Sequence, residues 1–364
     1  MTTASLGARR MRAQLLAGPP ARGVLDAVER VVGVQAQSWP AARLAVRART
    51  RGLRAADVDR ALASGELART WLMRGTLHLV SAADLGWLTG LFGPLNRAAG
   101  RRRREELGVD DDTAERALAE IPGILAGAGP MDRAELVARL AGRGVRIEPT
   151  GQAPAHLVAY AAAAGVLCRG PDLAGGRPSV ILAEEVRVAA AAAGGPRRGD
   201  FEGDFEGDAA LRELARRYLL GYGPADAADL AAWSGLPAAT ARRALALLGS
   251  DPELPDVASE SGASMSLPPR LLGQFDTVLL GHRDRDFVLR AEHAKRVNAG
   301  GGMVAATLLV GGEVVGLWRR TGRRLTLQPF DGPGALPAAT RDALEAEAAD
   351  VARFLGEPLT TAWE

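Results

Sequence analysis

The sequence contains little cysteine, lysine or aromatic residue. Its 364 residues include one cysteine, Cys168, and one lysine, Lys295. A single cysteine excludes an intramolecular disulfide and a cysteine-rich metal site. A single lysine leaves almost no candidate for Schiff-base catalysis. Aromatic residues make up only 4% of the chain, and alanine is abundant, which favours closely packed helices over a large β-sandwich.

Long apolar runs and several common enzyme motifs are also missing. The longest apolar stretch, residues 155–168, contains His156 and is too short to cross a bilayer. The first twenty residues contain no apolar core of secretory length. We therefore expect a soluble, cytoplasmic protein with no membrane partner. The chain has no GxSxG, no P-loop and no GxGxxG motif after a strand, and we expect no cofactor.

The four histidines are dispersed along the chain and form no HExxH pair. One loose grouping, of His282, Asp284 and His293, has the residue types of a metal site, and a metal hydrolase built on it stays an open alternative. His282 and Asp284 are also candidates for acid–base chemistry, but a salt-bridged strand end is the more common reason for such a cluster. We expect no metal.

Basic side chains are numerous but balanced by acids: 45 Lys and Arg face 43 Asp and Glu, for a net charge of +2. Arginines cluster within residues 43–54, 101–104, 283–290 and 319–324. Such clusters are typical of a groove that neutralises phosphates, and they predict binding to nucleic acid. The alternative is that arginine is simply the common surface cation of this chain.

The hydrophobic pattern predicts helices followed by a hairpin, three times over. Helical spacing at residues 8–16, 23–33 and 55–64 precedes two short strands around Arg74-Gly75. Residues 132–141 and 154–164 repeat the order, with a hairpin after them. From Tyr222, helices at 226–233 and 237–248 flank a tight turn, which indicates a helix-turn-helix. Helices followed by a two-stranded hairpin are the order of a winged helix.

After Pro268 the pattern changes to strands. The runs FDTVLLGH, DFVL, MVAATLLV, EVVGLW and LTLQPF are strand-like, Gly311-Gly312 predicts a hairpin, and residues 338–355 predict a final helix. The predicted fold class is α+β and mainly helical, with three tandem winged-helix units and a small C-terminal antiparallel β region. The predicted boundaries are 1–105, 106–193, a flexible acidic and glycine-rich linker at 194–208, and 209–364.

The segment VQAQ, residues 34–37, contains two glutamines at a spacing of two. Gly33 before it and Pro40 after it predict a short extended segment or turn. In an extended segment Gln35 and Gln37 share a face and can hold one water or polar group between them. The more common interpretation of such a pair is two ordinary surface amides.

The ordered set GVQAQ, TWLMRGTLHLV, YGPADAADLAAWSGL, LLGHRDR and VVGLWRR resembles the winged-helix DNA glycosylase family of the AlkZ/YcaQ type. The similarity extends from about Arg9 to Phe354. It implies a concave scaffold of three winged helices, excision of N7-alkylguanine and unhooking of interstrand crosslinks. The family motif is Gln-x-Gln in one branch, which matches Gln35 and Gln37 and implies that they are catalytic. That branch is similar to resistance enzymes against DNA-alkylating antibiotics.

The resemblance predicts a monofunctional, monomeric hydrolase that acts on double-stranded DNA with alkylated bases. A winged-helix transcription regulator or other non-catalytic DNA-binding protein is the alternative. We place both glutamines at the attacking water and expect the hairpin around Gly311-Gly312 to probe a groove. The residues expected to contact DNA are Arg43, Arg47, Arg74, His78, His282, Arg283, Arg285, Trp318, Arg319 and Arg320.

Overall fold

The computed structural model describes residues 3–192, 207–249 and 267–364. Helices account for most of the regular structure in these ranges. The α-helices are α1 Thr3–Ala13, α2 Val24–Arg30, α3 Trp39–Arg49, α4 Ala55–Ala63, α5 Leu85–Glu106, α6 Asp111–Leu125, α7 Arg133–Gly142, α8 Ala153–Ala163, α9 Ala183–Ala192, α10 Asp208–Tyr222, α11 Ala227–Ser234, α12 Ala238–Ala246, α13 Thr277–Leu280, α14 Ala294–Val297 and α15 Ala338–Leu355.

The strands are short and lie between groups of helices. They are β1 Val34–Gln35, β2 Leu67–Trp71, β3 Leu77–Ser81, β4 Met131–Asp132, β5 Leu167–Arg169, β6 Ser179–Leu182, β7 Arg270–Leu272, β8 Thr307–Val310, β9 Glu313–Thr321, β10 Arg324–Pro329 and β11 Thr360–Trp363. The mainly helical α+β class is therefore confirmed. Whether three of these groups are winged helices stays a prediction.

The chain forms two compact units. Residues 1–58 and 212–364 make up one, which we call the terminal unit, and residues 59–211 make up the other, the central unit. This division differs from the predicted boundaries at 105/106 and 193/194, because residues 1–58 pack with the C-terminal part of the chain. Most of the predicted linker, residues 194–206, lies outside the described residues.

In the central unit two predicted hairpins are confirmed. Strands β2 and β3 pair antiparallel, and so do β5 and β6; β2 also pairs with β5, and β6 with β4. Arg74 and Gly75 both have positive φ angles, of 54° and 69°, at the turn of the first hairpin. Helices α6, α7 and α8 cover a core that includes Ile121, Leu136 and Leu157, all fully buried.

In the terminal unit a five-stranded sheet has the order β11-β10-β9-β8-β7. Strands β7, β8, β9 and β10 follow one another in the chain, and each pairs antiparallel with the next. Strand β11 pairs with β10 in parallel. Gly311 and Gly312 connect β8 to β9 with positive φ angles, as the hairpin prediction requires. The predicted final helix is confirmed as α15, which packs against β7 and α3.

The two helices predicted on either side of a tight turn after Tyr222 are also confirmed. Helix α11 begins at a capping box, in which Asp226 accepts from the Asp229 amide and Asp229 accepts from the Asp226 amide. It ends at Gly235, whose φ of 79° lies in the left-handed region that favours glycine. Helix α12 follows after Pro237.

Two strand predictions are wrong. The run FDTVLLGH contains the short helix α13, because the Asp276 carboxylate accepts the Val278 amide and starts a helical turn. The run DFVL, residues 286–289, forms a turn in which the Val288 and Leu289 amides both donate to the Arg285 carbonyl. Both runs are apolar because they pack in the core of the terminal unit, and a short apolar run does not distinguish a buried strand from a buried turn.

Candidate active site

Gln35 and Gln37 lie next to each other, as their spacing predicted. The Gln35 Nε2 group donates to Gln37 Oε1 over 2.6 Å. Gln35 is buried at 6% exposure, whereas Gln37 is exposed. Gln35 is the last residue of β1, and Ala36 and Gln37 continue outside regular structure up to α3. Gln35 in β1 is thus buried, Gln37 in the bend after β1 reaches the surface, and a hydrogen bond joins the two side chains.

Helix α3 holds the downstream end of this segment. Ser38 is the residue before the helix, and Pro40 lies in its first turn, where a fixed φ and the missing N–H cost nothing. Pro40 thus belongs to α3 and does not close a loop as the sequence suggested. The helix begins one residue after Ser38, so the position of Gln37 depends on how firmly α3 is held.

Two buried arginines hold α3 in the terminal unit. Arg47 forms ion pairs of 2.8 Å with Glu347 and Asp350 of α15, and it also donates to the Leu271 carbonyl of β7. Arg49 has no exposed side-chain surface, and it donates through both Nη atoms to Asp276. Charges removed from water in this way need partners, and both arginines have them.

The glutamine pair is suited to holding a polar group. An amide side chain has two N–H donors and a carbonyl oxygen with two lone pairs. The bond from Gln35 uses one lone pair of Gln37 Oε1, and it fixes the direction of that carbonyl. A second donor, such as a water molecule, can bind the remaining lone pair. Neither glutamine titrates, so the pair can orient and stabilise groups but is a poor proton acceptor.

Four of the residues expected to contact DNA are buried, which corrects that expectation for them. Arg47 is engaged in the ion pairs with α15. Trp318 donates its Nε1–H to the Leu272 carbonyl over 2.8 Å. Burial, followed by the charge of Arg74, lowers the pKa of His78 to about 3, and burial, followed by the charge of Arg10, lowers that of His282 to about 4. Both histidines are therefore neutral and internal at pH 7.

The other six reach solvent to different extents. Arg74, Arg283, Arg319 and Arg320 are exposed, and Arg43 and Arg285 are half-buried. Burial lowers the pKa of Arg285, whose Nη1 donates to the Asn298 side chain. The placement of these six residues is compatible with contact to DNA.

The hairpin that carries Arg319 and Arg320 is the second one of the C-terminal sheet. Both residues lie at the far end of β9, and the chain turns back at Gly322 into β10, so they are remote from the Gly311-Gly312 turn. We call residues 319–324 the arginine turn. It also contains Arg323 and Arg324, which are exposed and belong to the same sequence cluster. Arg319 pairs with Glu364, and Arg320 pairs with Glu357.

The structure gives no support to a metal site. Among the described residues no three His, Cys, Asp or Glu side chains lie close enough together to hold a metal ion. His293 stacks on Phe330 at a centroid distance of 4.0 Å, and Asp284 pairs with Arg283 at the surface. His282 donates its Nε2–H to the Tyr222 backbone carbonyl. Within the described ranges no helix is both long and apolar enough to cross a membrane.

Comparison with known proteins identifies the family. The sequence model of the AlkZ-like DNA glycosylases matches residues 28–354. The chain belongs to this family. An interstrand DNA cross-link repair glycosylase of Streptomyces sahachiroi is 31% identical over 95% of both chains. The structure of the Streptomyces sahachiroi DNA glycosylase AlkZ covers 100% of both chains with a TM-score of 0.77 and 28% identity.

Membership establishes the class of reaction. The protein is a DNA glycosylase, a hydrolase that acts on N-glycosyl bonds. The ordered motifs therefore predicted the family correctly from the sequence. Family membership also makes a purely regulatory DNA-binding role the weaker alternative.

Proposed function

We propose that this glycosylase hydrolyses the N-glycosyl bond of N7-alkylguanine in double-stranded DNA, and that Gln35 and Gln37 form its active site. The observation that carries the proposal is the 2.6 Å contact between the two glutamines, with Gln37 exposed. The bond holds the Gln37 amide in a fixed orientation relative to Gln35, as a site that orients a water requires. Family membership supplies the reaction, and the pair supplies groups that suit it.

The chemistry of the lesion explains why amides suffice. Alkylation of N7 places a positive charge on guanine, so the base leaves as a neutral molecule and needs little help from an acid. The remaining tasks are to orient water toward C1′ and to stabilise a cationic sugar by fixed dipoles. A charged general base is not required, which fits a site built on two groups that do not titrate.

The geometry favours different roles for the two glutamines. Gln37 is exposed and presents a carbonyl oxygen with one lone pair left after the bond from Gln35. That oxygen binds the attacking water and points its own dipole toward the sugar cation. Gln35 is buried and fixes the rotamer of Gln37. We therefore assign the direct contact to Gln37 and its orientation to Gln35.

Substrate binding rests on exposed arginines. The arginine turn offers Arg323 and Arg324 in addition to the two arginines that pair with glutamates at the surface. Exposed ion pairs of this kind contribute little to stability, so a phosphate can replace the carboxylate at low cost. Phosphate contacts carry no sequence information, and unmodified duplex DNA should bind as well.

Crosslinked DNA is the second substrate class we propose. A similar protein acts on interstrand crosslinks, and a base tethered to both strands cannot be flipped out completely.

Both glutamines belong to one chain, so a monomer is sufficient for activity. We also propose that it provides resistance to a DNA-alkylating antibiotic, as its resemblance to resistance enzymes implies. The two glutamines supply no amine for lyase chemistry, which predicts an intact abasic strand as product.

Product analysis tests this proposal. The protein is incubated in excess with duplexes that contain one N7-methylguanine, one N7-guanine interstrand crosslink or no lesion. We expect release of the free modified base, an abasic strand that breaks only after alkaline treatment, and separation of the crosslinked strands. Gln37→Ala should abolish most of the release while duplex affinity is retained.

The controls separate glycosylase action from plain DNA binding. Gln152→Ala is a matched variant, because it removes another exposed glutamine, whose side chain accepts from Arg103 and not from Gln35. It should release bases at the wild-type rate. Binding without base release from either damaged duplex would instead support the non-catalytic alternative and contradict the proposed function.

A further inference from the structure

The backbone directly before the glutamine segment has an uncommon conformation. Helix α2 ends at Arg30, and Val32 then has a φ of 53° and Gly33 a φ of 112°. The left-handed region is rare for β-branched residues, because Cβ crowds the backbone there. At the end of a helix this position is usually a glycine. Contacts from elsewhere must therefore keep Val32 in place.

The end of α10 supplies those contacts. The Tyr222 hydroxyl donates to the Val31 carbonyl over 2.8 Å, and Arg30 Nη1 donates to the Leu220 carbonyl over 3.3 Å. Gly221 permits the close approach, since a Cβ at this position would lie 2.1 Å from the Arg30 carbonyl oxygen. The turn of residues 31–33 is thus held directly by α10, from about 190 residues away in sequence.

Tyr222 is itself fixed on all sides. Its side chain is fully buried, and its ring stacks on Tyr218 at 5.0 Å and contacts Trp233 at 5.3 Å. The Tyr222 carbonyl bonds His282, and a Cβ on Gly281 would lie 2.4 Å from the tyrosine ring. A hydroxyl on so rigid a ring can hold a strained turn in one conformation.

We propose that Tyr222 is a positioning residue for the active site. Its hydroxyl holds the Val31 carbonyl, keeps Val32 left-handed and thereby sets the direction in which β1 presents Gln35 to Gln37. Tyr222 contacts neither glutamine through this bond and acts through the backbone of residues 31–34. The inference rests on the proposed role of the glutamine pair.

The test removes the hydroxyl alone. Tyr222→Phe keeps the ring and its stacking, so we expect duplex affinity to stay within about twofold of wild type. Under single-turnover conditions the excision rate should fall about tenfold, because the glutamine pair is less often aligned. Hydrogen exchange at the Gly33 amide, which donates to the Val28 carbonyl, should accelerate. This second readout does not depend on catalysis.

A matched tyrosine gives the control. The Tyr218 hydroxyl is also buried and belongs to α10, but it donates to the Gly281 carbonyl and not to the Val31 carbonyl. Because this substitution removes only the bond to Gly281, Tyr218→Phe should lower stability as Tyr222→Phe does, yet change neither the excision rate nor exchange at Gly33. Equal effects of the two substitutions would reduce the role of Tyr222 to general stability and overturn the inference.

Rescue provides the decisive comparison. Glycine adopts the left-handed region freely, so Val32→Gly removes the strain that Tyr222 counteracts. The variant Tyr222→Phe with Val32→Gly should recover most of the excision rate. Absence of rescue, or a wild-type rate in Tyr222→Phe, contradicts the inference. If the wild-type enzyme releases no base at all, the proposed function fails instead, while hydrogen exchange still measures whether Tyr222 holds the turn.

Discussion

Helix α3 and the arginine turn both carry closely spaced arginines, but the two groups have opposite surroundings. Arg47 and Arg49 of α3 are buried and pair with carboxylates more than 200 residues away in sequence. Arg323 and Arg324 of the turn are exposed, and the neighbouring Arg319 pairs only at the surface. The buried arginines stabilise the fold around the glutamines, whereas the exposed ones are available to phosphates.

Arginine therefore has two different effects in this protein, on folding stability where it is buried and on DNA binding where it is exposed. A buried arginine with carboxylate partners contributes to folding, and losing it strands a charge in the interior. An exposed arginine contributes little to folding and retains its charge for a polyanion. Substitutions in α3 should therefore change stability first, and substitutions in the turn should change DNA affinity alone.

The largest expected effect is on Arg49. Arg49→Ala leaves the fully buried Asp276 carboxylate without its guanidinium, and we expect the free energy of unfolding to fall by about 3–5 kcal/mol. Denaturant unfolding measures this loss. The variant Arg49→Ala with Asp276→Asn removes the stranded charge and should be less destabilised than Arg49→Ala alone. A loss below about 1 kcal/mol for Arg49→Ala would remove the distinction between the two groups.

A smaller effect is expected at the arginine turn. Arg323→Ala with Arg324→Ala should weaken duplex binding about tenfold at 0.1 M salt, and each lost phosphate contact should reduce the salt slope by about 0.9. Unfolding should change by less than about 0.5 kcal/mol. The control is Arg22→Ala with Arg139→Ala, which removes equal charge from side chains that are 92% and 49% exposed and lie outside the four arginine clusters. Equal loss of affinity in both variants would indicate a nonspecific charge effect.

The smallest expected effect is the loss of stability when a carboxylate partner of the α3 arginines is replaced. Burial alone would raise the pKa of Asp350, but hydrogen bonds from Arg353 and the charge of Arg47 lower it. A lowered native-state pKa means that this stabilisation is present above the unfolded-state pKa and disappears as the pH falls through the native value. Asp350→Asn should therefore cost less than about 1 kcal/mol at pH 7 and nothing at low pH.

A partner carboxylate at the arginine turn is the matched control for that prediction. Glu364 pairs with Arg319 at the surface, and both side chains are about half exposed. Glu364→Gln should leave the urea midpoint unchanged at pH 7 and at pH 3. A pH-dependent loss in this variant equal to that of Asp350→Asn would mean that the two groups of ion pairs are equivalent.

Local sequence patterns predicted much of the fold. The hairpins around Arg74-Gly75 and Gly311-Gly312, the helix pair α11–α12 and the last helix all follow from short-range periodicity and turn residues. Helix α5 was not predicted, although it is 22 residues long, because it contains Pro94 and several glycines that favour loops. The apolar run at 277–280 was predicted as a strand but forms a helix. Its residues are apolar because they are buried, so their pattern does not report the secondary structure.

The candidate site was predictable only in part. The spacing of Gln35 and Gln37 predicted that they share a face, and the hydrogen bond between them agrees with that. The arginines of α3 were assigned to DNA because their partners, such as Asp276 and Glu347, are remote in sequence. Tyr222 carried no local signal for the same reason: it reaches Val31 only after the chain has folded back on itself.

The single-turnover excision rate of Gln35→Ala with Gln37→Ala tests the central claim most directly. Enzyme is added in excess to an N7-alkylguanine duplex, at concentrations where wild type and variant are both fully bound. We expect the rate to fall by about one to three orders of magnitude, equivalent to about 1.4–4 kcal/mol of lost transition-state stabilisation, and most for lesions that depart slowly by themselves. Excision by this double variant at the wild-type rate would place the active site elsewhere and contradict the account.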